Sequence, residues 1–76
     1  MNTVDTRAYI AAEMRAEMAR QRKTVTSAGR ILDLSKQAVS ERWRGKRDFR
    51  PAELVALAEW LGKPVAHFLP PSQVAS

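Results

Sequence analysis

What most limits the fold of this chain is how often it must stop and restart. Asp33, Gly45 and Gly62 interrupt it, Pro51 and Pro64 follow two of those breaks, and capping residues recur at Asp5, Thr24 and Ser35. Asp5 suits the N-cap of a first helix running to about Gln21, in which Ile10, Met14 and Met18 recur at four-residue steps and form one apolar stripe. Thr24 suits the cap of a second helix over 25–32, which Asp33 breaks. Ser35 suits the cap of a third over 36–44, which Gly45 stops. Pro51 fits the first turn of a fourth helix, where its missing N–H is not needed. That helix carries Leu54, Leu57, Ala58 and Leu61 on one face and ends at Gly62. Pro64 opens a last short turn holding Val65, Phe68 and Leu69. No segment alternates apolar and polar residues long enough for a strand. The pattern predicts a compact all-α domain of five short helices.

Size narrows the functional classes. Residues 1–70 read as one domain, with 71–76 a frayed tail. A chain of 76 residues buries only about 60–65% of its unfolded surface, which leaves little room for an enclosed active site. It has no Cys and one His, His67, so no disulfide and no Cys-based zinc site is expected. No nucleophile pairs with a base, and no glycine-rich phosphate loop is present. Glu13 and Glu17 share a helix face, a common surface feature. No catalytic residue, metal, cofactor or small-molecule ligand is therefore expected. No apolar run approaches the roughly 20 residues of a membrane span, and MNTVDTRAYI lacks the pattern of a secretory signal. The expected location is the cytoplasm, with no membrane partner.

Charge is concentrated rather than spread. The chain carries +5, but residues 20–50 hold ten Lys/Arg against Asp33, Glu41 and Asp48, which makes that segment +7 and the remainder −2. Such a segment favours a polyanionic partner, the alternative being a solubilising basic face.

The middle of the chain also carries a motif. Ala28 and Gly29 are small, and a residue without a side chain lets two backbones approach. Leu32 and Leu34 flank Asp33 and can both point inward only if the chain turns sharply, with Asp33 in a left-handed or similar turn conformation. Val39 can then pack under the turn. The result is two short helices at a steep angle. The stretch TSAGRILDLSKQAVSERWRGKR resembles the helix-turn-helix of the Cro and phage-repressor (Xre-like) class. Ala28, Gly29, Leu32, Leu34, Val39 and Trp43 stand as its motif core, and Gly45-Lys46-Arg47 as its exit. ELVALAEWLGKPVAHFL resembles the way that class closes its lambda-repressor-like domain, so the resemblance spans roughly residues 14–69. Three residues depart from the pattern. Asp33 stands where Gly is usual, Arg42 where an apolar core residue is usual with Trp43 one step later, and Arg50 where a Ser-like cap is common.

The resemblance implies a third helix that enters the DNA major groove, with Lys36, Gln37, Ser40 and Glu41 reaching base edges. Gln37 suits adenine, Lys36 guanine, and Glu41 the amino group of cytosine. Glu41 equally suits a salt bridge on the helix surface. Arg44, Lys46, Arg47 and Arg50 are placed to grip phosphates, joined by Thr26, Ser27, Arg22 and Lys23. Trp43 reads as core rather than as a base-stacking platform, and Trp60 as core or part of a dimer patch. The partner implied is a double-stranded DNA operator, met by a monomer or by a homodimer formed on the DNA. The implied function is a sequence-specific transcriptional regulator, Cro-like or immunity-repressor-like, of bacteriophage type. The alternatives are an excisionase-like recombination directionality factor and a protein-interaction module of the antitoxin or antirepressor kind.

Overall fold

The computed structural model describes residues 5–71, so most of the tail assigned to 71–76 lies outside the described residues. Four α-helices follow one another: α1 (Thr6–Arg20), α2 (Val25–Leu32), α3 (Lys36–Trp43) and α4 (Pro51–Leu61). A single 3-10 turn, Val65–Phe68, closes the described chain. Among the described residues there are thus four α-helices, and the five expected helices are not all formed. The fifth segment lies between Pro64 and Pro70, and the second proline has no N–H with which to continue a helix. No strand occurs among the described residues.

The caps do what their side chains dictate. Asp5 accepts from the Ala8 N–H, Thr24 from the Ser27 N–H and Ser35 from the Ala38 N–H. Each such cap contributes about 1 kcal/mol. All four helices end alike, with a left-handed residue just past the last turn: Arg22, Asp33, Gly45 and Gly62. The N–H of the residue after it reaches back to a carbonyl five positions earlier, as Leu34 does to Gly29 and Lys46 to Glu41. Asp33, at φ 55°, takes the turn conformation the sequence asked of it.

The core forms where these short elements cross. Ile10, Met14 and Met18 of α1, Val39 and Trp43 of α3, Leu57, Ala58 and Leu61 of α4, and Phe68 of the closing turn are all buried. α1 packs on α3 and the closing turn, while α2 packs on α3 and α4. Within the motif, Ala28 and Gly29 are buried with Val39 and Trp43, while Leu32 and Leu34 are half-buried against the same core. Trp43 stands edge-on to Phe49, with ring centroids 4.8 Å apart. Its indole N–H is buried and finds no acceptor among the described residues.

Two glycines set how closely α3 is approached. A Cβ on Gly29 would lie 2.7 Å from Val39 Cγ2, so α2 and α3 touch through a bare backbone. Gly45 has φ 74°, and a Cβ there would lie 3.2 Å from Ala8 Cα of α1. Gly29→Ala is expected to destabilise the domain by about 1 kcal/mol or more, because overpacking outweighs a helix-propensity gain of about 1 kcal/mol. The same change in a Val39→Ala background should become stabilising. Urea unfolding of the two single variants and the double variant measures that coupling, and simple additivity would exclude the contact as its cause.

Candidate nucleic-acid interface

α3 begins with an exposed first turn and ends in a cationic loop. Lys36 and Gln37 are exposed there, and Ser40 and Glu41 are half-buried one turn on. Arg44, Lys46, Arg47 and Arg50 are exposed along the exit. Two concave surfaces flank the helix. One, of about 730 Å³, lies between α2 and α3 and brings Thr26, Lys36, Ser40 and Arg44 together, adding Arg30 and the apolar Val25, Leu34 and Trp43. The other, of about 460 Å³, gathers Lys46, Arg47 and Arg50 with Arg7, Arg42 and Asp48.

Several of the expected contact residues already have protein partners. Arg47 Nε donates to Glu41 Oε1 at 2.9 Å, so the salt bridge weighed for Glu41 forms in the free chain. Lys23 Nζ donates to the Trp60 carbonyl at 3.1 Å and sits 4.7 Å from the centre of that ring. This ties the α1–α2 connection to α4 and covers Trp60, which is half-buried against the core. Arg22 is exposed at a left-handed position, Thr26 is exposed, and Ser27 is half-buried with its hydroxyl accepting from Thr24 Oγ1 at 2.9 Å.

The clearest departure from an apolar core is Arg42. Its side chain is 5% exposed, and its Nε donates to Glu53 Oε1 at 2.8 Å. Its Nη1 donates to the Ala38 carbonyl at 3.2 Å. Arg42 and Trp43 are therefore both buried, and Trp43 takes the apolar packing while Arg42 takes a carboxylate. Glu53 also accepts the Arg50 N–H at 3.0 Å, which caps α4. Arg50 offers no acceptor in return, since a guanidinium only donates. Burial acts to raise the Glu53 pKa, but the bonds from the Arg42 guanidinium and the Arg50 N–H outweigh it and leave the carboxyl below its usual 4.5. Glu17 of α1 is the other buried carboxylate. It is lowered first by the Gln21 amide and, against burial, by Arg20 and the nearby Lys63 charge. Gln21 donates at 2.9 Å to Glu17 Oε2 and at 2.8 Å to the Leu61 carbonyl, and His67 Nε2 lies 3.3 Å from Glu17 Oε1.

The sequence pattern does not place Arg7 or Arg42 on this surface, yet both line the second hollow. For Arg42 a signal was present, a cation at an apolar position with Glu53 in the first turn of the next helix. For Arg7 there was none, because it lies 39 positions from the Lys46 carbonyl it reaches at 3.4 Å.

The fold has counterparts among solved structures. It matches the crystal structure of a hypothetical transcription factor, NHTF, from Neisseria, with a TM-score of 0.75 and 24% identity over 91% of this chain and 79% of that one. It also matches the DNA-binding domain of BldD, with a TM-score of 0.70 and 22% identity over 91% of this chain and all of that one. No family model matches the sequence, and no curated protein does. These likenesses are of fold. The described residues contain no cluster of side chains able to hold a metal and no helix long and apolar enough to cross a membrane.

The two depressed carboxylates set an acid limit on stability. Both hold fewer protons folded than unfolded below their usual value of 4.5. Their stabilisation is full above that value and is lost as pH falls through the lower folded pKa values. Thermal melts from pH 7 down to pH 2 should therefore fall off below about pH 4.5, and Glu17→Gln should flatten part of the loss. An unchanged profile would remove Glu17 from this role. Arg42→Met alone should cost about 3 kcal/mol, since it strands Glu53. Adding Glu53→Gln should recover most of that, as read by chemical denaturation.

Proposed function

We propose that the chain is a sequence-specific double-stranded DNA-binding regulator of transcription, Cro-like or immunity-repressor-like, and not an enzyme. The observation that carries this reading is the cationic relief on both flanks of α3. One concave surface carries Lys36 and Ser40 with Arg30 and Arg44, another carries Lys46, Arg47 and Arg50, and Gln37 is exposed in the first turn of the helix. A helix so flanked suits a groove bounded by two phosphate chains. NHTF is described as a hypothetical transcription factor, and the BldD structure is of a DNA-binding domain. Their shared fold supports the same use here.

In this reading α3 lies in the major groove. Lys36, Gln37 and Ser40 meet base edges, and Glu41 either takes a cytosine amino group or keeps Arg47 oriented. Arg44, Lys46, Arg47 and Arg50 grip the backbone, with Arg22, Thr26 and Ser27 at the second strand. Lys23 joins them only by leaving Trp60. A homodimer on an operator sets two such helices about 34 Å apart, and occupancy of the operator blocks transcription. The bacteriophage origin implied by the motif belongs to the same proposal.

Selection from a random duplex pool at near-physiological salt, with sequencing of the bound fraction, tests the reading. An enriched inverted repeat is the expected result, and its spacing gives the dimer geometry. No enrichment, with binding that vanishes as salt rises, would leave only a non-specific basic surface. Gln37→Ala should relax preference at one base position by about 1–3 kcal/mol. Arg47→Ala should instead reduce the salt dependence, by about 1 in log–log slope.

A further inference from the structure

We infer that the hollow where α1, α3 and the start of α4 meet is the seat of one backbone phosphate of the bound duplex, with Arg7 and Arg42 as two of its ligands. The inference rests on the DNA-binding reading above and adds two residues and a place to it. Arg7, Arg42, Lys46, Arg47 and Arg50 line this hollow with a single carboxylate, Asp48. Cations that converge on one concavity repel one another, and an anion placed among them removes that cost.

The arrangement differs from a solvated basic face chiefly at Arg42, the one buried cation of the hollow, which is held from behind. Arg42 is fixed through Nε to Glu53 and through Nη1 to the Ala38 carbonyl, which leaves Nη2 as the free edge of its fork. Arg42 lines the hollow although only 5% of its side chain is exposed. Arg47 is held by Glu41 at 2.9 Å. Arg7 is steadied by the Lys46 carbonyl at 3.4 Å and by Asp48 at 3.7 Å. The remaining N–H groups of a guanidinium held in this way can donate to a phosphate oxygen, and little side-chain freedom is lost when Arg42 meets it.

The source of the phosphate follows from position. The hollow opens at the exit of α3, beside Lys46 and Arg47, so a duplex seated on that helix carries its backbone past it. Asp48 is 79% exposed and already paired with Arg7, so it can turn to solvent when the anion arrives.

Phosphate-ethylation interference on the selected duplex, run with the full chain, tests the seat. Ethylation of one phosphate per half-site should weaken the wild type, and Arg7→Gln should become insensitive to that same phosphate. The log–log salt slope of Arg7→Gln should fall by about 1 with its enriched sequence unchanged, whereas Lys63→Gln, an equal change of charge outside the hollow, should leave the slope intact. Arg42→Met combined with Glu53→Gln, which keeps the core neutral, should lose sensitivity at the same phosphate. If the wild type binds duplex but Arg7→Gln keeps both its slope and its interference pattern, the seat is overturned and the regulator reading stands. If the wild type binds no duplex, both fall together. If millimolar inorganic phosphate shifts the Arg7 and Arg42 side-chain NMR signals while no single ethylation matters, the hollow takes a free anion, and the duplex assignment is wrong.

Discussion

The ion pair between Arg42 and Glu53 is the constraint on which the rest of this surface depends. It joins the last turn of α3 to the first turn of α4, and the same carboxylate caps α4 by accepting the Arg50 N–H. One oxygen atom thus fixes both ends of the loop that carries Arg44, Lys46, Arg47 and Arg50. Desolvating two charges offsets most of their attraction, so two apolar side chains would serve stability about as well. They would not leave a guanidinium edge in the wall of a hollow. In this position the pair exchanges part of a hydrophobic core for a fixed cation.

The facing of α3 is set by steric contact more than by propensity. Its eight residues, KQAVSERW, have no apolar stripe beyond Val39 and Trp43. What orients the helix is the bare backbone of Gly29 against Val39, the close approach of α1 to Gly45, and Trp43 edge-on to Phe49. Arg15 of α1 also donates to the Trp43 carbonyl and so holds the C-terminal end. Each contact lies on the inner side of the helix. The outer side is left free for Lys36 and Gln37, while Arg42 is the one charged residue directed inward.

Local signals in the sequence were legible and distant ones were not. Asp5, Thr24 and Ser35 announce helix starts because a cap acts within three residues. Asp33 announces the turn because two leucines on either side of it leave no other conformation. The 3-10 geometry at Val65–Phe68 was harder to read, since it depends on Pro70 as much as on the apolar residues between the prolines. Arg42 was visible as an anomaly, but its partner lies eleven positions on, across a loop whose path the pair itself determines. Arg7 carried no signal, and neither did the position of Lys23 over Trp60. Both depend on where α1 lies against the rest, which only the packed core decides.

The contrast between a solubilising basic face and an anion-binding one comes down to how its cations are held. A solvated face leaves Lys and Arg heads free, because water screens them and rotamer entropy favours motion. Here Arg42 is buried and bound by a carboxylate, so its charge is oriented, while Arg47 and Arg7 make exposed contacts with Glu41 and the Lys46 carbonyl. The Glu41–Arg47 pair makes the point most directly. A carboxylate on the outer face of α3 opposes phosphate binding unless it meets a donor, and in the free chain its donor is Arg47. A duplex that draws Arg47 toward phosphate must supply Glu41 with a replacement donor or leave the two joined. Cytosine offers one in the major groove, an amino group that adenine shares and that guanine and thymine lack there. In the proposed DNA-binding reading, the pair that orients Arg47 would thus make its release to phosphate depend on the base that Glu41 meets.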